Sequence, residues 1–359
     1  MQKRPRQTDV AKLAGVSPAT VSVILNNRLD GNVRISAETR ARVLDAVEQL
    51  GYVTDPVARS LAGGRGSILG VFTYEAIFPR QLHHCYYPFL LGMEEEAAQL
   101  GYDLLLLTST GNTDRRRTIY QGNINRLRIA NGTVIRMPAQ PNTVYEEEIA
   151  RLIAEQYPFV AVGEHEWSNG AFSSVTADYA TATANVVRIM LAQGHRRVAY
   201  WAPQLVGQDH RACYAGYLMA HRKLGLAHVA MPAQQFPATH ITTTLLQHLL
   251  AEGTTAFVLE HDLSVPFCQA LEELGKRAPT DLSFAILGDR PADFAAPYPI
   301  TGFSPPHEQM GRRAVHLLVA LLQTAHSKHS PVSQGRHEVL PCIPFPGATI
   351  GPPPVSLAG

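Results

Sequence analysis

From Ile68 onward, short apolar runs alternate with amphipathic stretches, and this alternation limits the fold more than any other feature of the chain. "ILGVFTY", "YDLLLLTS", "TVIRM", "FVAVG", "RRVAYWAP", "TAFVLE" and "LSFAILG" read as buried strands. "FLLGMEEEAAQLG", "TATANVVRIMLAQG" and "VPFCQALEELG" supply helices between them. Continuous apolar strands separated by helix-length segments predict parallel sheets with right-handed crossovers. The units are too many for one sheet, so two similar α/β subdomains are expected, with a cleft at the strand carboxyl ends.

The chain has 359 residues and a net charge of +1, which hides an asymmetry. Residues 1–65 carry ten Lys/Arg against six Asp/Glu (+4), leaving 21 against 24 (−3) for the remainder. A small basic head on a mildly acidic body fits a nucleic-acid-binding head. No apolar run approaches the roughly 18 residues needed to span a membrane. The start, "MQKRPRQTDVAK", lacks the apolar core of a signal peptide, so a cytoplasmic protein is expected. Cys85, Cys213, Cys268 and Cys342 lie far apart with no CxxC pair, and "HHC" at His83–Cys85 has no distant partner motif. Neither a metal nor a cofactor is expected.

In the head, "TDVAKLAGVSPATVSVILNN" reads as two short helices. Val10, Ala11 and Ala14 offer the first a small inner face, and Gly15 suits the left-handed turn that follows. Ser17 can cap the second helix and Pro18 can open it, because no intrahelical partner awaits the missing N–H. Val21, Ile24 and Leu25 form its inward stripe. A third helix, "AETRARVLDAVEQL", is capped by Ser36 and stopped by Gly51. After "GYVT", Asp55-Pro56 can start a helix that Gly63-Gly64 ends, too short to hold together alone in water.

The signature "TDVAKLAGVSPATVS", then "RISAETRARVLDAVEQLGY", then "PVARSLAGGRGSILGVF" resembles the lactose-repressor family of bacterial transcription regulators. The likeness continues in "ADYATATANVVRIMLAQGHRRVAYWAP", "DHRACYAGYLMAHRKLGL", "RAPTDLSFAILGD" and "PITGFSPPHEQMGRRAVHLL", which resemble that family's periplasmic-binding-protein-like effector module. The resemblance implies a homodimer on a palindromic double-stranded operator. The second helix would lie in the major groove and the paired hinge helices in the minor groove. By that likeness Ser17, Pro18, Ala19, Ser22 and Val23 face bases, Thr8 and Thr20 touch phosphates, and Ala58 and Leu61 enter the minor groove. Asn26 joins the DNA contacts and Arg28 a phosphate. Many relatives carry arginine at the position of Val23, which can offer only an apolar contact to a thymine methyl.

The resemblance also implies a small effector in the cleft, a sugar or a nucleoside. Arg211 matches a frequent ligand-binding arginine, and Cys213 replaces a second one. His261 and Asp262 stand where relatives usually have Asn-Asp. Gly288 falls at the usual effector aspartate, with Asp289 beside it, and Tyr74, Tyr87 and Phe89 are the candidate aromatic walls. The expected organisation is a helix-turn-helix domain over 1–54, a hinge helix and linker over 55–66, and an effector-binding and dimerisation body over 67–359. Within the body the first subdomain is expected at about 67–164 plus 300–325, the second at about 165–299 plus 326–350.

The rival is a solute-binding protein, or an enzyme acting on sugars or nucleosides, with an unrelated helical head. Neither a GxSxG elbow nor a GxxxxGK[ST] loop is present to support catalysis. The hinge yields the sharpest expectation, because Leu61 would act as a wedge that unstacks and bends the duplex. Leu61→Ala should weaken operator binding and reduce the bend while sparing salt-dependent binding to nonspecific DNA. Circularly permuted operator fragments measure both, and a variant that binds and bends like wild type contradicts the wedge.

Overall fold

The computed structural model describes residues 5–25, 35–50, 68–74, 83–108, 117–121, 124–138, 143–163, 172–203, 207–227, 230–290, 299–325 and 335–354. The head contains α1 (Gln7–Ala14), α2 (Pro18–Leu25) and α3 (Ala37–Leu50). Its core is Val10, Ala11, Ala14, Val21, Ile24, Val43 and Ala46, with Val47 and Leu50 packed at its edge. Small side chains on α1 let the helices cross closely, and α1 and α2 meet at 103°, within the range of a helix-turn-helix. Gly15 makes the turn at φ 65°, and its N–H returns to the carbonyls of Ala11 and Lys12. The proposed hinge, 55–66, lies outside the described residues.

The body is built on two six-stranded sheets. Its first part runs β1 (Ile68–Thr73), α4 (His83–Gln99), β2 (Asp103–Leu107), the hairpin β3 (Tyr120–Gln121) and β4 (Ile124–Asn125), β5 (Gly132–Arg136), α5 (Thr143–Ala154), β6 (Phe159–Val162) and β7 (Ser173–Ala177). Then come α6 (Tyr179–Ala192), β8 (Val198–Ala202), α7 (Gln208–Lys223), β9 (Gln234–Gln235), α8 (Thr243–Ala251), β10 (Ala256–Glu260), α9 (Ser264–Glu273), β11 (Ser283–Leu287) and β12 (Gly302–Ser304). The chain ends with α10 (His307–Ala325), β13 (His337–Leu340) and β14 (Ile343–Phe345). The sheet orders are β13-β7-β6-β5-β1-β2 and β14-β12-β11-β10-β8-β9. Every pairing in the two sheets is parallel except β12 with β14.

The chain passes between the sheets three times: after β7, between β12 and α10, and between β13 and β14. These passes differ from the division read in the sequence. Segment 173–177, expected in the second subdomain, pairs with β6 of the first sheet through Val160↔Ser173. Strand β12, expected with the first, joins β11 of the second, and β13, expected with the second, pairs β7 of the first. The reason is local chemistry. "SSVTA" carries too few apolar residues to announce a buried strand, yet Ser174 Oγ lies 2.8 Å from His337 Nδ1 and Ser173 Oγ accepts from Arg336 N at 3.1 Å. Hydrogen bonds with the incoming β13 segment satisfy the polar side chains that burial would otherwise penalise.

Helix α10 packs on α4 over the first sheet, as α6 packs on α7 over the second. Each pair touches through a glycine. A Cβ on Gly92 would lie 2.0 Å from the Glu308 carbonyl oxygen, and one on Gly216 would lie 2.2 Å from that of Ala180. Among the described residues, no single helix is long and apolar enough to cross a membrane. Gly216→Ala should therefore push α6 from α7 and cost roughly 1–3 kcal/mol through overpacking. Urea unfolding of the variant checks this, and a midpoint equal to wild type contradicts the close crossing.

Candidate DNA-reading helix and effector cleft

Helix α2 is held by its own first turn. Ser17 Oγ accepts from Thr20 N at 3.1 Å and lies 2.9 Å from Thr20 Oγ1, while Gln7 Nε2 donates to the Pro18 carbonyl at 3.2 Å. Capping and clamping thus fix α2 on α1. With Val21 and Ile24 buried, Thr8, Ser17, Pro18 and Ala19 are exposed, and Thr20, Ser22 and Val23 half-buried. Asn26, Arg28, Ala58 and Leu61 lie outside the described residues.

In the body, the strand carboxyl ends collect the polar side chains. Thr73 and Arg136 are register partners at the ends of β1 and β5. Arg117, buried, donates from Nη1 to Thr73 Oγ1 at 2.9 Å. Its loop is anchored by Glu148 of α5, a buried carboxylate that accepts from Ile119 N at 3.0 and 3.1 Å and from Tyr120 N at 3.2 Å. Burial raises the Glu148 pKa, and those backbone donors work in the opposite direction. The Arg136 guanidinium sits 5.1 Å from the centre of the buried Tyr86 ring.

The aromatic residues expected as walls are placed otherwise. Tyr87 and Phe89 both lie in α4; Phe89 is buried in the core with Met93, while Tyr87 is 68% exposed. Successive helical positions point about 100° apart, so Tyr86, not its neighbour, meets the strand ends. Tyr74 is buried against Phe72 and Tyr145, its ring 4.2 Å from that of Tyr145. It is core.

On the facing subdomain, Glu260 ends β10 and is buried. Tyr200 Oη donates to one of its carboxylate oxygens, and His210 Nδ1 lies 2.5 Å from the other. Arg211 is on the exposed side of α7, and Cys213 is in the core. With Cys213 and Tyr217 inward, position 210 faces the strand end, and Arg211 stands one step further round the helix. Burial works against charge on His210, but the hydrogen bond and charge of Glu260 outweigh it and raise its pKa to about 9.

Two further pairs repeat the pattern. His261 Nε2 stands 3.1 Å from Asp262 Oδ1, and His307 Nε2, at the start of α10, stands 2.9 and 2.8 Å from the two Asp289 oxygens. Burial lowers and Asp262 raises the His261 pKa, and the net is upward. Half-buried Tyr179, at the first passage between sheets, packs against the cores of both subdomains, and burial raises its pKa. Sequence reading missed Arg117, Arg136, His210 and His307. Arg136 had a signal, a cation closing the apolar run "TVIR"; the others had none without the fold.

A helix-turn-helix head on a body of two parallel sheets defines a DNA-binding regulator. Residues 8–55 match the family described as bacterial regulatory proteins, lacI family, and residues 187–341 match a periplasmic binding protein-like domain. The chain is 30% identical to catabolite control protein A of Priestia megaterium over 219 residues, which is 61% of each chain. It is 26% identical to that of Streptococcus mutans over 329 residues, covering 88% of this chain and 90% of that one. A solved lac repressor dimer, bound to operator and the anti-inducer ONPF, superposes with a TM-score of 0.69 at 20% identity, over 97% of this chain and 99% of that one. The chain joins a lacI-family head to a periplasmic-binding-protein-like body and is a transcriptional regulator.

The pair His210–Glu260 carries a pH signature. Because the folded pKa of about 9 exceeds the unfolded 6.5, the pair's contribution is fully present below pH 6.5 and is lost as pH rises through 9. Its upper size is roughly 3 kcal/mol. Urea midpoints of wild type and His210→Gln should differ most at pH 6 and converge by pH 9.5. Curves that stay parallel across that range contradict the assignment.

Proposed function

We propose that the chain is a repressor that binds a palindromic operator as a homodimer and is released or tightened by a small effector in the cleft of the body. The observation that carries this is the outward face of α2, which leaves Ser17, Pro18 and Ala19 exposed on a rigid, capped helix. The related lac repressor forms a dimer on operator. In this reading Thr8 and Thr20 contact phosphates, Ser22 and Val23 face bases, and Asn26, Arg28, Ala58 and Leu61 extend the contact beyond the described residues. Domain limits of 1–54, 55–66 and 67–359 are part of the reading, as is a cytoplasmic site of action.

The effector site in this reading is formed by Arg117 and Arg136 on one lip and His210, His261, Asp262 and Asp289 on the other. A catalytic reading has less support. Ser264 Oγ donates to the His261 carbonyl at 2.5 Å, which uses it to close its own turn rather than to attack a substrate. Coupling between cleft and DNA is reciprocal, so an effector that changes operator affinity has its own affinity changed by the operator by the same factor.

The experiment is a mobility shift on the DNA upstream of the gene, followed by selection of preferred sites. Val23→Arg should move the preference at one half-site position from thymine toward guanine, by roughly 1–3 kcal/mol. An unchanged preference contradicts the position of Val23, and the absence of any selected site contradicts the regulator's sequence specificity.

A further inference from the structure

We propose that His307 and Asp289 form a latch across the joint between the two subdomains, and that opening or closing it changes how the first subdomain presents the head to DNA. This rests on the regulator reading above and adds the contact that couples cleft to head. His307 Nε2 lies 2.9 and 2.8 Å from the two Asp289 oxygens. An ionised carboxylate only accepts, so Nε2 carries the hydrogen and shares it between both oxygens. The side chains are 12% and 16% exposed, so solvent screens the pair little.

The partners belong to different subdomains. Asp289 stands two residues beyond β11, next to Gly288, whose N–H donates to the Phe303 carbonyl at 3.1 Å and ties that strand end to β12. His307 opens α10, whose Met310, Ala314 and Leu318 lie in the core of the first subdomain. Between β12 and α10 run Pro305 and Pro306, whose rings fix φ. His307 N donates to the Pro305 carbonyl at 3.0 Å and Met310 N to that of Pro306 at 2.8 Å, which closes the turn. The passage has little slack, so the separation of His307 from Asp289 follows the angle between the subdomains.

Force on His307 passes to α4. The carbonyl oxygen of the next residue, Glu308, is the atom that a Cβ on Gly92 would approach to 2.0 Å. Glu308 also pairs with Arg312 at 2.9 Å, and Arg312 reaches Glu95 of α4. With no room to slide, α10 and α4 move as one piece. Helix α4 follows β1, the strand at which the chain enters the body from the head. A cleft ligand that binds the latched and unlatched states with unequal affinity shifts their populations, and the head goes with them.

Asp289 makes another interaction besides this one, so the test alters His307. It uses the full chain with no effector added. On an operator obtained by site selection, fluorescence anisotropy should show the affinity of His307→Ala changed roughly fivefold or more, with binding to nonspecific DNA unchanged. His307→Gln, whose side-chain amide can still donate to Asp289, should lie between His307→Ala and wild type. Hydrogen–deuterium exchange, which needs no DNA, should be faster in His307→Ala at 287–290 and 307–310, the two sides of the latch, with the strands of both sheets unchanged. Operator affinity equal to wild type, an effect undiminished in His307→Gln, or a loss shared by nonspecific DNA overturns the proposal. Exchange that rises equally in the strands gives His307 a structural role only and also overturns it. If wild type selects no operator, the regulator reading falls, and exchange at the two segments alone decides the latch.

Discussion

The three passages of the chain between two sheets constrain the rest of the body. Because strands end on the same side in a parallel sheet, all their carboxyl-end side chains gather on one edge of each subdomain. The passages hold the two subdomains together near Tyr179 and Cys342, which pack against both cores. Two subdomains joined by three short segments can change their relative angle while each core stays packed. The close helix crossings at Gly92 and Gly216 make each subdomain a separate rigid unit, so strain concentrates at the passages.

The cleft is electrostatically asymmetric. One lip is cationic, with Arg117 and Arg136 around Tyr86; the other couples His210 and His261 to carboxylates, and a third pair, His307 with Asp289, spans the two. His307 adds a mechanical role, because it opens α10 of the first subdomain while its ring binds Asp289 at the end of the second sheet. That pair bridges the passage after β12, so a ligand competing for Asp289 would bear directly on the joint between subdomains.

Much of this was legible in the sequence wherever one residue type had one use. Gly15, Ser17 and Pro18 specify a turn and a helix start by conformation alone, and both occur. The continuous apolar runs named the central strands, since a strand covered on both faces has no polar side. Strand β7 was hidden because its burial is paid in hydrogen bonds to a segment more than 150 residues later, Ser174 with His337. Arg211 and Tyr87 were each one position from the side chain that faces the strand ends, His210 and Tyr86. A motif fixes the neighbourhood, but the rotation of a helix is set by which of its residues pack, and here Cys213, Tyr217 and Phe89 decide it. Arg117 meets Thr73 from a loop anchored by Glu148, a long-range bond with no local pattern.

The account's central claim is that operator binding by the head and the state of the cleft are coupled through the body. Hydrogen–deuterium exchange of the full chain, with and without operator DNA and with no effector added, tests it most directly. The account predicts altered protection at 117–121, 207–211 and 287–290, on both lips of the cleft, alongside protection of α2. Protection confined to the head and its immediate connection, with the cleft segments unchanged, would contradict it.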